Sequence, residues 1–247
     1  MKKLLISDFD GTLYFDGFIS KDDVKSILDF QKENVFVIAT GSSYTSFKRK
    51  CEDSNLSYDY VIVNHGSTIL KNDEILLNVS IDKTILNEII ERYDLTNRNN
   101  YTLIKDCHDS FFSTAKEGLV TPDTNNITKI HLEFTKENYD KEVNYLKETY
   151  KDKLNIYELL YNNDIEIVSK DASKLIAIKK IIEKENISIT NVYCIGDGYS
   201  DLEMIKKYKG FAIKNAVDKV KENAQKEVNN ISELINLINK EQIWKKY

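Results

Sequence analysis

Four aspartates in two pairs have the types and spacing to do chemistry. Asp8 and Asp10 follow one apolar run, and Asp197 and Asp201 follow another near the opposite end of the chain. If the chain stays extended after Asp8, both side chains of the first pair point the same way, and their carboxylates repel each other. A cation relieves that repulsion, and oxygen ligands with room for water favour Mg²⁺, which also binds phosphate oxygens. The sequence therefore predicts a metal site at which a carboxylate attacks a phosphate and forms an acyl phosphate.

These acids must be positioned by the elements that precede them. Short apolar runs cover residues 4–6, 35–39, 60–63, 192–195 and 211–213. Apolar residues at helical spacing, such as Val24, Ile27 and Leu28, lie between the runs. Continuous apolar strands that alternate with amphipathic helices are typical of a parallel sheet covered on both faces, so we predict an α/β Rossmann-like core. Ligands bind outside the carboxyl ends of such strands, where the aspartates lie.

The middle of the chain has a different pattern. Residues 126–134 alternate apolar and polar side chains, as a half-exposed strand does, and further pairs of strand-like pieces follow. Helices are predicted around 83–92 and 136–150. We therefore predict a catalytic core formed by residues 1–79 and 172–247, with an inserted α+β domain at 80–171.

Each motif alone is weak evidence. An Asp-x-Asp pair is usually solvated, Lys174 alone would be a surface lysine, and Thr40-Gly41-Ser42 or Gly196-Asp197-Gly198 alone would be an ordinary turn. Their order in the chain, each at a strand end or helix start, is what favours a catalytic site.

Taken together, these residues closely resemble the haloacid dehalogenase superfamily of hydrolases. Asp8–Leu13 is similar to the first motif of that superfamily, 40–42 to the second, Lys174 to the third and 196–201 to the fourth. The position of the insertion, between the second and third motifs, resembles the type C2 cap of the Cof-like subgroup. The resemblance spans about residues 1–75 and 172–247.

The resemblance implies a role for each matching position. Asp8 would be the nucleophile, and Asp10 the general acid and then the general base. Thr40 and the Gly41 amide would hold the phosphoryl oxygens, while Lys174 neutralises their charge.

The resemblance also implies the metal ligands. Mg²⁺ would be held by the Asp8 carboxylate, the Asp10 backbone carbonyl and Asp197, with Asp201 close by. Ser42 and Asn215 are further candidates for contacts with the phosphate or the rest of the substrate.

Three positions depart from the subgroup. Ser42 stands where arginine is common, Ser200 where asparagine is usual, and Leu175 where glycine is usual. The loss of arginine removes a bidentate contact, so the departures leave the identity of the substrate open.

For the type of reaction, the sequence favours one interpretation and leaves two alternatives open. We expect a magnesium-dependent phosphatase that hydrolyses a small phosphorylated metabolite, with sugar phosphates as the first guess, through an aspartyl phosphate. An aspartate at position 10 suits enzymes that protonate a leaving oxygen and then activate water. A phosphomutase or phosphotransferase on the same scaffold would use the same residues, and the departures at Ser42, Ser200 and Leu175 suggest a non-catalytic metabolite-binding protein as a further alternative.

The composition of the chain limits the kinds of partner that we expect it to bind. The chain has 247 residues and a formal net charge of -5, which argues against binding to nucleic acid or an anionic membrane. Three scattered cysteines favour a reducing cytoplasm, and no apolar run reaches membrane-spanning length. We expect a cytoplasmic monomer or homodimer.

Several local features carry no assigned role in the sequence. The histidines His65, His108 and His131 are scattered, and Cys107-His108-Asp109 lacks the ligands of a zinc site. Loops at 116–118 and 161–163 are candidates for substrate contacts by their position only.

Overall fold

The computed structural model describes residues 1–94, 101–105, 108–110, 124–159 and 163–240, with 108–110 described by backbone alone. The candidate loop at 116–118, the residues Cys107, Tyr161 and Asn162, and the last seven residues of the chain lie outside the described residues.

The larger sheet holds eight strands within the described residues. The first six in spatial order, β15-β14-β13-β1-β4-β5, are mutually parallel, and β6 and β7 continue the sheet in antiparallel fashion. These strands are β1 (Leu4–Asp8), β4 (Val35–Ala39), β5 (Tyr60–Val63), β6 (Thr68–Lys71), β7 (Glu74–Asn78), β13 (Val192–Gly196), β14 (Lys209–Ile213) and β15 (Lys226–Val228). The predicted parallel α/β core is confirmed, with an antiparallel edge that the sequence did not indicate.

Burial explains why the central strands form where they do. Every residue of β1, β4, β5 and β13 is buried, so these strands need cover on both faces and carry continuous apolar runs. The helices associated with this sheet are α1 (Lys21–Phe30), α2 (Tyr44–Cys51), α5 (Lys174–Glu185), α6 (Leu202–Lys207), α7 (Asp218–Asn223) and α8 (Ile231–Asn239). In the described ranges, no helix combines the length and apolar character needed to cross a membrane.

A small hairpin follows the first strand. It consists of β2 (Tyr14–Phe15) and β3 (Phe18–Ile19) and presents Phe18, whose exposed fraction is 62%. The hairpin begins just after the first two aspartates, because the carbonyl of Phe9 accepts hydrogen bonds from the amides of Leu13 and Tyr14 and turns the chain.

A second, antiparallel sheet lies between the two parts of the larger one in sequence. Its spatial order is β11-β12-β10-β8-β9, and we call it the inserted sheet. Its strands and the helices between them are α3 (Lys83–Arg92), β8 (Tyr101–Lys105), β9 (His108–Ser110), β10 (Ile127–Glu133), α4 (Lys136–Thr149), β11 (Leu154–Leu159) and β12 (Asp164–Ser169).

The inserted sheet and its helices have a hydrophobic cluster of their own. It includes Leu86 and Ile89 of α3, Leu146 of α4 and Ile130 of β10, and it is separate from the cluster around β1. The helices predicted at 83–92 and 136–150 are therefore present. The exact division at 79/80 and 171/172 stays a prediction.

Candidate active site

The carboxyl ends of three adjacent strands meet at one edge of the larger sheet. β1 lies between β4 and β13, so Asp8 at the end of β1 has Thr40 on one side and Asp197 on the other. Parallel pairing in register, with Asp8 opposite Ala39, is what brings these residues together. The sequence motifs therefore meet in space, as the strand-end argument predicts.

One buried lysine links two of the aspartates. Lys174 Nζ donates to Asp8 Oδ1 at 2.6 Å and to Asp201 Oδ1 at 2.7 Å. Lys174 is the first residue of α5, after Ser173, whose hydroxyl accepts from the Ile176 amide. Burial works against the charge of Lys174, but the carboxylates of Asp201 and Asp8 outweigh it and raise its pKa. Lys174 is thus a fixed cation beside Asp8.

The surroundings of Asp8 disfavour the charged form of its carboxylate. Burial, followed by the nearby Asp201 carboxylate, raises its pKa well above the ordinary value, although Lys174 opposes the shift. Its Oδ2 atom is buried and finds no hydrogen-bond donor among the described residues. A buried acceptor without a donor is costly and calls for a partner that the described residues do not provide.

The donor set around Asp8 fits a divalent cation. One oxygen from each of Asp8, Asp197 and Asp201 lies within 4.8 Å of the others. Among the described residues, Lys174 pairs with Asp8 and Asp201, so these three acids together carry more negative charge than the one ammonium offsets. Burial and Asp201 also raise the pKa of Asp197, as expected for acids held together without enough positive charge. Oxygen-only ligands of this kind suit Mg²⁺.

The loops around the acids are shaped to hold them close. Thr12 Oγ1 donates to Asp197 Oδ1 at 3.1 Å, and a Cβ on Gly11 would lie only 2.5 Å from Asp197 Oδ2. Gly11 also has φ +85°, which favours glycine. Asp201 Oδ2 accepts from the amides of Asp197 and Gly198, both at 3.1 Å. Asp201 therefore orders the loop and Lys174, with both of its oxygens engaged.

The chain does not stay extended between Asp8 and Asp10, which was the condition for two parallel side chains, and the two carboxylates have different partners. β1 ends at Asp8, and the turn around the Phe9 carbonyl redirects the chain before Asp10. The Asp10 carboxylate accepts instead from Thr40 Oγ1 at 3.2 Å and Ser42 Oγ at 2.9 Å, and it forms an ion pair with Lys50. Asp10 thus belongs to the side of the site formed by β4 and α2.

The other predicted contact residues are held within the protein. The Ser42 amide donates to Thr40 Oγ1 at 3.0 Å, which makes 40–42 a tight loop. Asn215 Nδ2 donates to the Gly11 carbonyl at 3.0 Å and so supports the loop beside Asp197. Leu175 packs partly buried against the core. For Asn215, the structure shows a loop contact, and its role toward a substrate stays a prediction.

His65 is a residue near the site that the sequence interpretation passed over. Its Nε2 lies 2.5 Å from Glu166 Oε2, and its ring stacks on Tyr157 with centroids 3.9 Å apart. Both partners belong to the inserted sheet. A Cβ on Gly41 would lie 2.4 Å from His65 Cε1, so the ring covers the loop at 40–42. The positive φ values of Asn64, His65 and Gly66, at 51°, 55° and 103°, are the local signal of this special turn.

Lys129 completes a buried ionic network with the same glutamate. Lys129 Nζ lies 2.5 Å from Glu166 Oε1 and donates to the Gly41 carbonyl at 2.8 Å. Burial opposes the charge of Glu166, but Lys129 and the hydrogen bonds from His131 and His65 hold its pKa well below the ordinary value. The inserted sheet is therefore connected directly to the loop that follows β4.

His65 gives the protein an expected sensitivity to acid. Burial lowers its pKa, despite the opposing hydrogen bond to Glu166. The folded state then binds fewer protons than the unfolded state, so the free energy of unfolding should fall as the pH drops through about 6.5, the unfolded value. Chemical denaturation between pH 5 and 8 measures this, and His65→Asn should flatten the dependence. An equal slope in the variant would contradict the assignment.

Comparison with known proteins agrees with this geometry. A family model described as haloacid dehalogenase-like hydrolase matches residues 5–234. The 5-amino-6-(5-phospho-D-ribitylamino)uracil phosphatase YcsE of Bacillus subtilis is 30% identical over 232 residues, which cover 90% of this chain and 88% of the relative. An uncharacterized protein of Mycoplasma capricolum is 30% identical over 235 residues, covering 84% of this chain and 88% of the relative.

Solved structures share the fold. A HAD/COF-like hydrolase from Plasmodium vivax superposes with a TM-score of 0.79 at 20% identity, covering 97% of this chain and 96% of the other. A Thermotoga maritima protein gives a TM-score of 0.78 at 24% identity, covering 97% of each chain. The expectation of a phosphoric monoester hydrolase is confirmed by the family model and the phosphatases among the relatives. The chain belongs to the haloacid dehalogenase-like hydrolases of the Cof-like type.

Proposed function

We propose that the protein is a magnesium-dependent phosphatase that transfers the phosphoryl group of a small metabolite to Asp8 and then to water. The observation that carries this proposal is the state of the Asp8 carboxylate. One of its oxygens is fixed by Lys174, and the other is buried beside Asp197 with no donor among the described residues. A carboxylate held this way is oriented for attack and lacks only a counter-charge on its free side.

The residues around Asp8 divide the work of the first step. An Asp8 oxygen attacks phosphorus as the bond from phosphorus to the ester oxygen breaks, and Asp10 gives a proton to the departing oxygen. Thr40 and the Gly41 amide would hold the transferring oxygens, and the Lys174 ammonium would offset their charge. Phosphoryl transfer depends mainly on this kind of electrostatic positioning.

The second step reverses the role of Asp10. As a carboxylate, it takes a proton from the water that attacks the acyl phosphate on Asp8, which releases phosphate and restores both acids. Water can reach Asp10 because its side chain is 40% exposed, while that of Asp8 is only 7% exposed.

The metal would be held by Asp8, Asp197 and the Asp10 backbone carbonyl, with Asp201 ordering the loop behind them. When bound, Mg²⁺ would shield the negative charge of the phosphate and so allow an anionic nucleophile to approach it. The excess of carboxylate charge at this place supports the assignment.

The substrate class we favour is the monophosphate of a polyhydroxylated carbon chain. Sugar phosphates are the first guess from the sequence, and the relative YcsE is a phosphatase for a phosphorylated ribityl compound. Both are phosphate esters of a chain of hydroxylated carbons. A screen of such esters with the purified protein tests the class.

The reaction itself has a direct test. The purified protein should hydrolyse 4-nitrophenyl phosphate with millimolar Mg²⁺, lose that activity in excess EDTA, and regain it when Mg²⁺ is restored. Free phosphate should form in equal amount to the phenol. An isomerised sugar phosphate in place of free phosphate would indicate a mutase, and activity that persists in EDTA would contradict the metal assignment.

A further inference from the structure

Asp10 is held by three donors that all come from one short stretch of chain. Thr40 and Ser42 donate to Oδ2 at 3.2 and 2.9 Å, and the Lys50 ammonium pairs with Oδ1. Both carboxylate oxygens are therefore engaged, although the Asp10 side chain is 40% exposed. An exposed aspartate with no such partners would sample several rotamers, so these donors select one of them.

Lys50 is the only charged donor of the three, and its own position is fixed. Its side chain is 27% exposed, and Nζ lies 5.6 Å from the centroid of the Tyr14 ring. That ring stacks on buried Phe9, with centroids 5.4 Å apart. The ammonium is thus held between the hairpin and Asp10, where the ring face attracts a cation.

Helix geometry explains why residue 50 can reach the site. Side chains on a helix lean toward its N-terminus, and the loop at 40–42 lies just before α2. Lys50 in the last turn therefore extends back toward the start of the helix, where Asp10 lies. Its neighbour Lys48 on the same helix points elsewhere, with Nζ 3.6 Å from Asp73 and 5.7 Å from the Tyr44 ring centroid.

We propose that Lys50 is a positioning residue for Asp10, which it holds toward the oxygen of the departing group. The inference rests on the proposed function, in which Asp10 is the proton donor. Thr40 Oγ1 contacts Asp10 and belongs to the loop proposed to hold the phosphoryl group, so the carboxylate lies beside the reacting atoms. Lys50 acts through Asp10. It sets how well Asp10 protonates the oxygen of a poor leaving group.

Proton donation matters most when the departing oxygen is strongly basic. An alkoxide must be protonated as it leaves, whereas 4-nitrophenolate leaves with little help. A residue that orients the proton donor therefore affects alkyl phosphates more than 4-nitrophenyl phosphate. A general loss of folding or of metal binding would lower the hydrolysis of both esters alike.

The test compares kcat/KM for 2-phenylethyl phosphate and 4-nitrophenyl phosphate in Lys50→Met. We expect a loss of about 30-fold on the alkyl ester and of less than about threefold on the aryl ester, because a positioned acid contributes roughly 10²–10⁴-fold. Lys48→Met, on the same helix, should leave both values close to those of the wild type. Lys50→Arg should recover most of the alkyl activity.

A second variant supplies a positive charge to Asp10 from position 42 in place of position 50. Ser42 also contacts Asp10, so an arginine there can reach the same oxygen atoms. Ser42→Arg combined with Lys50→Met should restore at least about a third of the alkyl-ester activity that Lys50→Met loses relative to the aryl ester, because arginine supplies a charged donor to a carboxylate.

The outcomes distinguish a failure of the proposed function from a failure of the role assigned to Lys50. Wild-type protein that hydrolyses neither ester overturns the proposed function. An active wild type, with equal losses on both esters or no loss in Lys50→Met, overturns the role of Lys50 and leaves the proposed function intact. Thermal unfolding of each variant identifies any that lose activity through misfolding, and for such a variant Lys50→Gln replaces Lys50→Met in the same comparison.

Discussion

Replacing Asp8 by asparagine should abolish hydrolysis while making the fold more stable. The amide cannot attack phosphorus, so kcat should fall by about 10⁴-fold or more, the scale seen when a nucleophile is removed. Burial and Asp201 raise the pKa of Asp8, which means that the folded protein disfavours its charge. A neutral side chain of the same shape removes that cost, so the melting temperature should rise. Steady-state kinetics and calorimetry measure the two effects.

A matched control for this variant is Asp23→Asn. Asp23 is also buried, but it lies on α1, where its carboxylate accepts from the Ser232 amide at 2.7 Å. This substitution should change stability with little effect on kcat. If Asp8→Asn kept more than about a tenth of wild-type activity, a rate far above that scale, Asp8 would not be the nucleophile.

The second large effect is expected at Lys174. Lys174→Met removes the ammonium that both Asp8 and Asp201 contact, and it leaves buried carboxylates without a cation. Breaking a buried pair by removing one partner costs about 3–5 kcal/mol, so the free energy of unfolding should fall by that amount in EDTA. Mg²⁺ should restore part of the loss, because an ion that binds only the folded state stabilises it. Urea denaturation with and without Mg²⁺ gives both values.

Lys71→Met is the control for Lys174→Met. Lys71 pairs with Glu185 at 3.4 Å and is 38% exposed, so its loss should cost less than about 1 kcal/mol. If Lys174→Met had an equally small effect, Lys174 would not be needed to offset the repulsion between the carboxylates of Asp8 and Asp201. Unfolding that does not respond to Mg²⁺ in the wild type would argue against a metal there.

The parts of the fold and of the site that could be predicted from the sequence are those with a local signal. The central strands are continuous apolar runs because both their faces are buried, and that pattern is readable without a structure. The strand-end rule then places Asp8, Thr40 and Asp197 together, since parallel neighbours end at one edge. The antiparallel edge formed by β6 and β7 was missed, because their apolar residues alternate less clearly and pairing direction is set by the turn between them.

What the sequence could not show depends on partners far along the chain. His65 is defined by Glu166, 101 residues later, and by a turn with three positive φ values that only coordinates reveal. Lys50 looks like an ordinary surface lysine until α2 places it against Asp10, 40 residues earlier. The partners of Asp10 could not be predicted for a related reason. The extended-chain assumption fails one residue after β1, where the Phe9 carbonyl closes a turn.

The position of β1 also has a consequence for synthesis on the ribosome. β1 pairs with β4 on one side, but its other neighbour, β13, begins only at Val192. For most of translation, the strand that carries Asp8 therefore has one open edge, which invites wrong pairing. The inserted sheet and its helices are continuous in sequence and can form earlier. Asp8 thus gains its lysine and its neighbouring acids late in synthesis, so that a nascent chain should become active only when folding is nearly finished.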